Sequence, residues 1–284
     1  MTTLATGAIR RLRSVKRVPV VVALASLVLL AVTIMVLAPQ WGPYDPAFIS
    51  PAESLQGPSA THLLGTDQLG RDVFSRVIAG ARTAFLAPLA LACGSVVLSL
   101  ALAILAGFVG GRVDDLISRA IDVLYSIPSL IVAIVVVGVT GGGFVMALIV
   151  LLIFGLPTNV RVLRAAVLER VQLPYMEAAR TVGLSTTRIV FTQLLPALTP
   201  LIVTSLFIQF TYGVVEVSSL SFLGLGVPLG PPDWGRMLFE NRAALSSNVW
   251  ATAAPGIGIV ALAVSANIVG DWIFNRFENA SRQR

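Results

Sequence analysis

Side chains able to do chemistry are few in this sequence, and their spacing limits what they can do. There is one histidine, His62, and one cysteine, Cys93. A zinc site needs three or four side-chain ligands, so these two do not make one. A lone cysteine forms no internal disulfide. No G-x-S-x-G, H-E-x-x-H or G-x-x-x-x-G-K-S/T occurs, which removes the usual nucleophile elbow, zinc helix and phosphate loop. The glycines of "SFLGLGV" follow no strand and precede no suitably spaced acid, so they read as a turn or a packing point. What remains is a handful of acids and amides inside apolar runs, where charge is costly and needs a reason. Asp122 and Asp271 have arginine neighbours, Arg119 and Arg276, and are read as pairs at a membrane edge. Glu216, in "GVVEVSSLS", has no basic neighbour and is the better candidate for lining a pathway. Gln209, Tyr212 and Asn267 are candidates for the same water-filled path. Their competing role is interhelical hydrogen bonding, worth about 0.6 kcal/mol each.

The elements that must carry these residues are set by composition. The chain has 284 residues, 56% hydrophobic and 12% charged, with a mean hydropathy of +0.88. A soluble domain carries about a quarter charged residues, so an all-α integral membrane protein is expected. A crossing helix needs roughly 20 apolar residues. Runs free of Asp, Glu, Lys and Arg give six spans, near 18–38, 84–108, 117–138, 143–161, 190–215 and 250–272, with "VTGGGF" (Val139–Phe144) separating the third from the fourth. The first span follows "RRLRSVKR" and resembles a signal peptide, but its apolar stretch exceeds the usual 7–15 residues. It reads as a retained anchor.

Lysine and arginine orient the spans. With the N-terminus inside, fifteen fall in cytoplasmic segments and five outside, which favours both termini in the cytoplasm. The net charge of +6 then needs no nucleic acid. The chain divides into a basic N-terminus (1–17), the first span (18–38) and an extracytoplasmic loop (39–83). A five-helix domain follows (84–273), containing a cytoplasmic loop (161–189), and then a tail (274–284).

That cytoplasmic loop contains "PYMEAARTVGLS". Pro174 suits a first helical turn, Glu177 complements the positive end of the helix, and Gly183 suits the left-handed position that ends one. Ser185 or a following threonine can cap the next helix, which Pro196 and Pro200 should kink. A short helix, a glycine turn and a second helix are predicted. A second stretch, "LGTDQLGRDVFSRVIAGARTAF" (64–85), predicts an amphipathic helix capped by Thr66 or Asp67. Leu69, Val73, Phe74 and Val77 would seat it on the outer membrane face, with Arg71 and Arg76 mostly opposite.

The order Glu177, Ala178, Ala179, Gly183, Leu195, Pro196 resembles the EAA loop of ABC importer permeases, although Gln193 stands where that family often has isoleucine or histidine. "LGTDQLGRDVFSR" resembles the signature of the dipeptide, oligopeptide and nickel importer permeases, C-type subunit. "GGRVDDLISRAIDVLYSIPSL", "SSLSFLGLGVPLGPPDWGRML" and "NIVGDWIF" agree. The resemblance implies a six-helix type I importer permease in a bacterial inner membrane that forms half of a translocation pathway. It implies a homologous second permease chain, an extracytoplasmic solute-binding protein, and two ATPase subunits or domains that bind ATP and Mg, with no cofactor in this chain. It also implies a coupling helix at Tyr175, Met176, Glu177, Ala178, Ala179, Arg180 and Gly183. Tyr175 and Met176 would fill the ATPase's groove, and Glu177 would meet its polar groups. A nickel or other small-solute permease is the alternative within the family. An ion-gradient-driven secondary transporter is the alternative outside it, but the sequence shows neither a convincing internal repeat nor mid-span acids.

Overall fold

The computed structural model describes residues 18–141, 143–225 and 231–281. The expected basic N-terminus, 1–17, and the last residues of the tail, 282–284, lie outside them. All the long elements are helices. Helix α1 (Val20–Leu37) carries no charged residue and starts after Pro19. Helix α2 (Val73–Val109) runs for 37 residues and stops at Gly110, whose φ of 64° is left-handed. At 1.5 Å per residue α2 is about 55 Å long, so it stands well clear of about 30 Å of hydrocarbon.

Helices α3 (Gly111–Tyr125) and α4 (Ser129–Thr140) meet at a bend of 74°. The expected single span over 117–138 is therefore broken. Pro128 follows Ile127, and a residue before proline is pushed out of the helical region. Only α4 is apolar all round, and its 12 residues reach about 18 Å, too short to cross alone. Helix α5 (Gly143–Val171) returns, and α6 (Pro174–Thr181) is the predicted short helix. Helix α7 (Thr186–Phe222) follows, with a π-helical turn at Val190–Leu194. That turn lies just before Pro196, which lacks the N–H to continue the regular ladder. Helices α8 (Trp234–Asn241) and α9 (Trp250–Ser281) complete the chain. Among the described residues five helices are long and apolar enough to cross a membrane, and six crossings result if the bent pair counts as one.

Helix α2 is the central post, packed on α5 and α7, while α9 packs on α7 and α1. One core joins Val32, Ala84, Phe210, Trp234 and Leu262 across α1, α2, α7, α8 and α9. A second joins Leu91, Val137, Leu151 and Val217. A third, at the opposite end, joins Ala103, Leu163, Val167, Met176, Ile189 and Leu194.

The expected helix over 64–82 does not begin at Thr66 or Asp67. Residues 64–72 form a tight loop with an isolated bridge between Thr66 and Asp72. Helix α2 starts at Val73, capped by Asp72, which accepts from Ser75 N at 2.8 Å. Two glycines make the loop possible. Gly65 and Gly70 have φ of 72° and 73°, and a Cβ on them would meet Gln56 O at 2.2 Å and Ser50 O at 1.8 Å. Leu69 is half-exposed, and Arg76, expected on the polar face, is buried.

Candidate functional site

Three clusters carry the chemistry. The first is ionic and binds the 39–72 loop to α8. Asp67 accepts from Arg71 N at 3.0 Å and from Arg71 Nε at 2.7 Å. Glu240 accepts from Arg71 Nη2 at 2.7 Å, Arg76 Nη2 at 3.1 Å and Arg236 Nε at 2.8 Å. Three guanidinium groups thus converge on one glutamate. Burial works to raise the Glu240 carboxyl, but Arg71, Arg76 and Arg236 outweigh it and hold its pKa below the ordinary glutamate value. Asp233 goes the other way: burial pushes it up, against the backbone N–H of Arg236. Trp234 donates from Nε1 to Val77 O at 2.8 Å, with its ring wedged against Gly80 and Gly258. Asn248 Nδ2 donates to the carbonyls of Leu64 and Thr66. The signature over 64–76 is therefore a fastening between distant parts of the chain.

The second cluster lines a cavity of about 390 Å³ at the α3–α4 break. Tyr125 and Ser129 flank the break, Ser95 comes from α2, Thr158 from α5, and Gln209, Tyr212 and Glu216 from α7. Ser129 Oγ donates to Glu216 Oε1 at 2.9 Å, and Gln209 Nε2 donates to Ser95 Oγ at 2.6 Å. Among the described residues, no lysine, arginine or histidine lines the cavity. Three of the four polar candidates, Gln209, Tyr212 and Glu216, therefore meet in one place. Asn267 does not join them. It is exposed, in a separate groove between α7 and α9 that Tyr212 also borders. Sequence reasoning missed Ser95, Thr158 and Ser129, because isolated hydroxyls in apolar helices commonly bond their own backbone.

The two other acids pair differently than expected. Asp122 takes Arg161 Nη2 at 2.6 Å, across to α5, rather than Arg119. Arg276 lies over the Trp272 ring at 4.9 Å instead of on Asp271. Arg164 grips Asp114 through two nitrogens, so α3 is tied twice to α5.

The third cluster is α6. Met176 is fully buried, among Leu163, Val167, Ile189 and Leu194 of this same chain. It is not free to fill a partner's groove. Ala179, three residues on, is half-buried on the same core. Tyr175, Glu177, Ala178 and Arg180 are exposed, as is Val182 just beyond the helix. Arg180 lies 5.6 Å from the Phe108 ring. The bare face thus reads Tyr175, Ala178, Val182, a spacing of three and then four that points to Val182 in the sequence itself. Gly183 has φ of 84° with no atom near its missing Cβ. Leu184 N bonds Ala179 O at 3.1 Å, closing the glycine turn. Ser185 caps α7 through Arg188 N.

These features define a membrane-embedded helical chain with one short helix, α6, buried on one face and bare on the other, and comparison places it. Residues 99–283 match the family model of the binding-protein-dependent transport system inner membrane component, and the chain belongs to that family of ABC importer permeases. It is 37% identical over 250 residues to the di/tripeptide transport system permease protein of Pseudomonas aeruginosa, covering 86% of this chain and 82% of that one. It is 34% identical to the glutathione transport system permease protein of Pectobacterium atrosepticum, over 89% and 84% of the two chains. Among solved structures, the MetNI methionine ABC transporter in its inward facing conformations matches with a TM-score of 0.60 at 19% identity, over 72% of this chain and 96% of that one. That likeness shows the importer permease fold. The chain is accordingly a permease subunit, non-catalytic in its own right.

Proposed function

We propose that this chain forms half of the translocation pathway of an ATP-driven importer of short peptides. A homologous second permease chain forms the other half. An extracytoplasmic binding protein delivers the peptide, and two ATPase subunits or domains, loaded with ATP and Mg, dock on α6 and its counterpart. Both termini lie in the cytoplasm of a bacterial inner membrane. ATP-driven closure of the ATPases swings α6, and the spans open toward the binding protein.

One observation carries this reading: α6 is nailed to its own core by Met176 while its opposite face, Tyr175, Ala178 and Val182, is bare. A short helix held rigidly on one side and uncovered on the other transmits motion from a partner. The 37% identity to a di/tripeptide permease supports peptide as the cargo. Two measurements test it. Mild detergent extraction should bring ATPase subunits with the chain, and cells lacking the chain should lose uptake of a radiolabelled di- or tripeptide. Purification without any ATPase, or unchanged peptide uptake, overturns the proposal.

A further inference from the structure

We infer that the cavity at the α3–α4 break is a cation-selective way station whose Glu216 carboxylate receives the ammonium end of the passing peptide. This rests on the reading of the chain as a peptide permease. Among the described residues, Glu216 has a single side-chain hydrogen-bond partner, the neutral Ser129, and no ion pair. The ionisable groups nearby do not change this. Arg161 is engaged by Asp122 and lies on the Tyr125 ring at 4.4 Å, and a phenol such as Tyr125 or Tyr212 carries no positive charge in either of its forms. A carboxylate inside apolar helices and without a basic partner lacks the counter-charge that normally offsets its burial.

The rest of the lining fits an ammonium carrying a peptide. Ser95, Thr158 and the side-chain carbonyl of Gln209 offer oxygen acceptors, and the Tyr212 ring, which no arginine covers among the described residues, adds the attraction of an aromatic ring for a cation. Gln209 keeps its oxygen for this, since its nitrogen is the atom bonded to Ser95. A volume of about 390 Å³ lies within the range of small-ligand sites, roughly 300–1,000 Å³. Weak, one-point capture suits transit, because a pathway site must release what it holds.

The test uses the assembled complex with Cys93→Ser and a single reporter thiol in the cavity, Tyr212→Cys. Thr158→Cys serves if the first fails to assemble. The probes are trimethylammonioethyl methanethiosulfonate, a cation, and sulfonatoethyl methanethiosulfonate, an anion. With Glu216 present the cation should react faster, and Glu216→Gln should lower that preference by about tenfold, the factor expected of one nearby charge in a partly desolvated site. Alanyl-alanine should slow labelling, N-acetyl-alanyl-alanine should not, and Glu216→Gln should abolish the protection. No cation preference, a preference that survives Glu216→Gln, or protection by both peptides or by neither overturns the inference. Uptake after labelling separates the two claims. If a labelled complex imports peptide normally, the cavity is off the pathway and the parent reading of the site fails, whatever its electrostatics.

Discussion

Ser129 Oγ sits 2.9 Å from Glu216 Oε1, which joins the first residue after the α3–α4 break to the far half of α7. The two are 87 positions apart, and no local rule brings them together. This bond fixes the bend against α7 and sets the floor of the cavity. Ser129→Ala leaves the half-buried carboxylate without its protein donor, and the net loss of one such hydrogen bond costs about 0.5–1.5 kcal/mol. The thermal midpoint of the purified complex should fall, and Ser129→Thr should restore most of it. An unchanged midpoint for Ser129→Ala contradicts the bond.

The ionic cluster makes a prediction with a sign. Glu240 has a folded-state pKa below its ordinary value of 4.5. Its contribution is therefore present above that value and is lost as pH falls through the depressed one. As pH falls below about 4.5, the wild-type thermal midpoint should drop more steeply than that of Glu240→Gln. At neutral pH, Glu240→Gln should be less stable by on the order of 2 kcal/mol, a partly exposed version of a broken buried pair. Parallel pH profiles for the two proteins would contradict the cluster's role.

Gly70→Ala tests the loop that replaces the expected outer helix. A Cβ there would lie 1.8 Å from Ser50 O, and φ is 73°. The loop must open, so assembled yield should fall sharply. Gly57→Ala, where nothing lies within 4 Å, should leave yield alone. Equal yields would mean that residues 64–72 fold otherwise.

Met176 and Val182 should separate stability from coupling. Met176→Ala empties a fully buried position and should cost about 2–5 kcal/mol. Val182→Asp alters a side chain that is 80% exposed, so the purified chain should melt as the wild type does. It should nonetheless lose ATPase subunits in pull-down, because a buried unpaired charge at the joint is unfavourable. The reverse pattern would assign the two residues the wrong faces.

Much of this was legible in the sequence. The apolar runs marked most of the spans, and "PYMEAARTVGLS" gave the short helix, the glycine at positive φ and the serine cap, because those depend on local backbone preferences. Glu216 stood out by the lack of a basic neighbour in its own stretch, and its one side-chain hydrogen-bond partner among the described residues is the neutral Ser129. The misses share a cause. Arg71 and Arg76 face inward because Glu240, more than 160 positions away, is there to receive them, and a helical pattern in 64–82 cannot show that. Met176 turns toward Leu163 and Ile189 because the core of this chain, not the partner, holds its side of α6. Pro128 did announce the break, but the apolar run across it looked continuous.

Coupling of this chain to ATP hydrolysis through α6 is read out by uptake together with binding-protein-stimulated ATPase activity of the reconstituted complex carrying Glu177→Ala or Gly183→Val. Gly183→Val forces a β-branched residue into a left-handed backbone, at about 1–2 kcal/mol, and re-aims the helix. Glu177→Ala removes an exposed carboxylate from the first turn of α6. Peptide capture by the separate binding protein should be untouched, while uptake falls and ATP hydrolysis either stops responding to the loaded binding protein or runs without transport. Wild-type uptake and wild-type stimulation in both variants would contradict the account and leave α6 a plain connector.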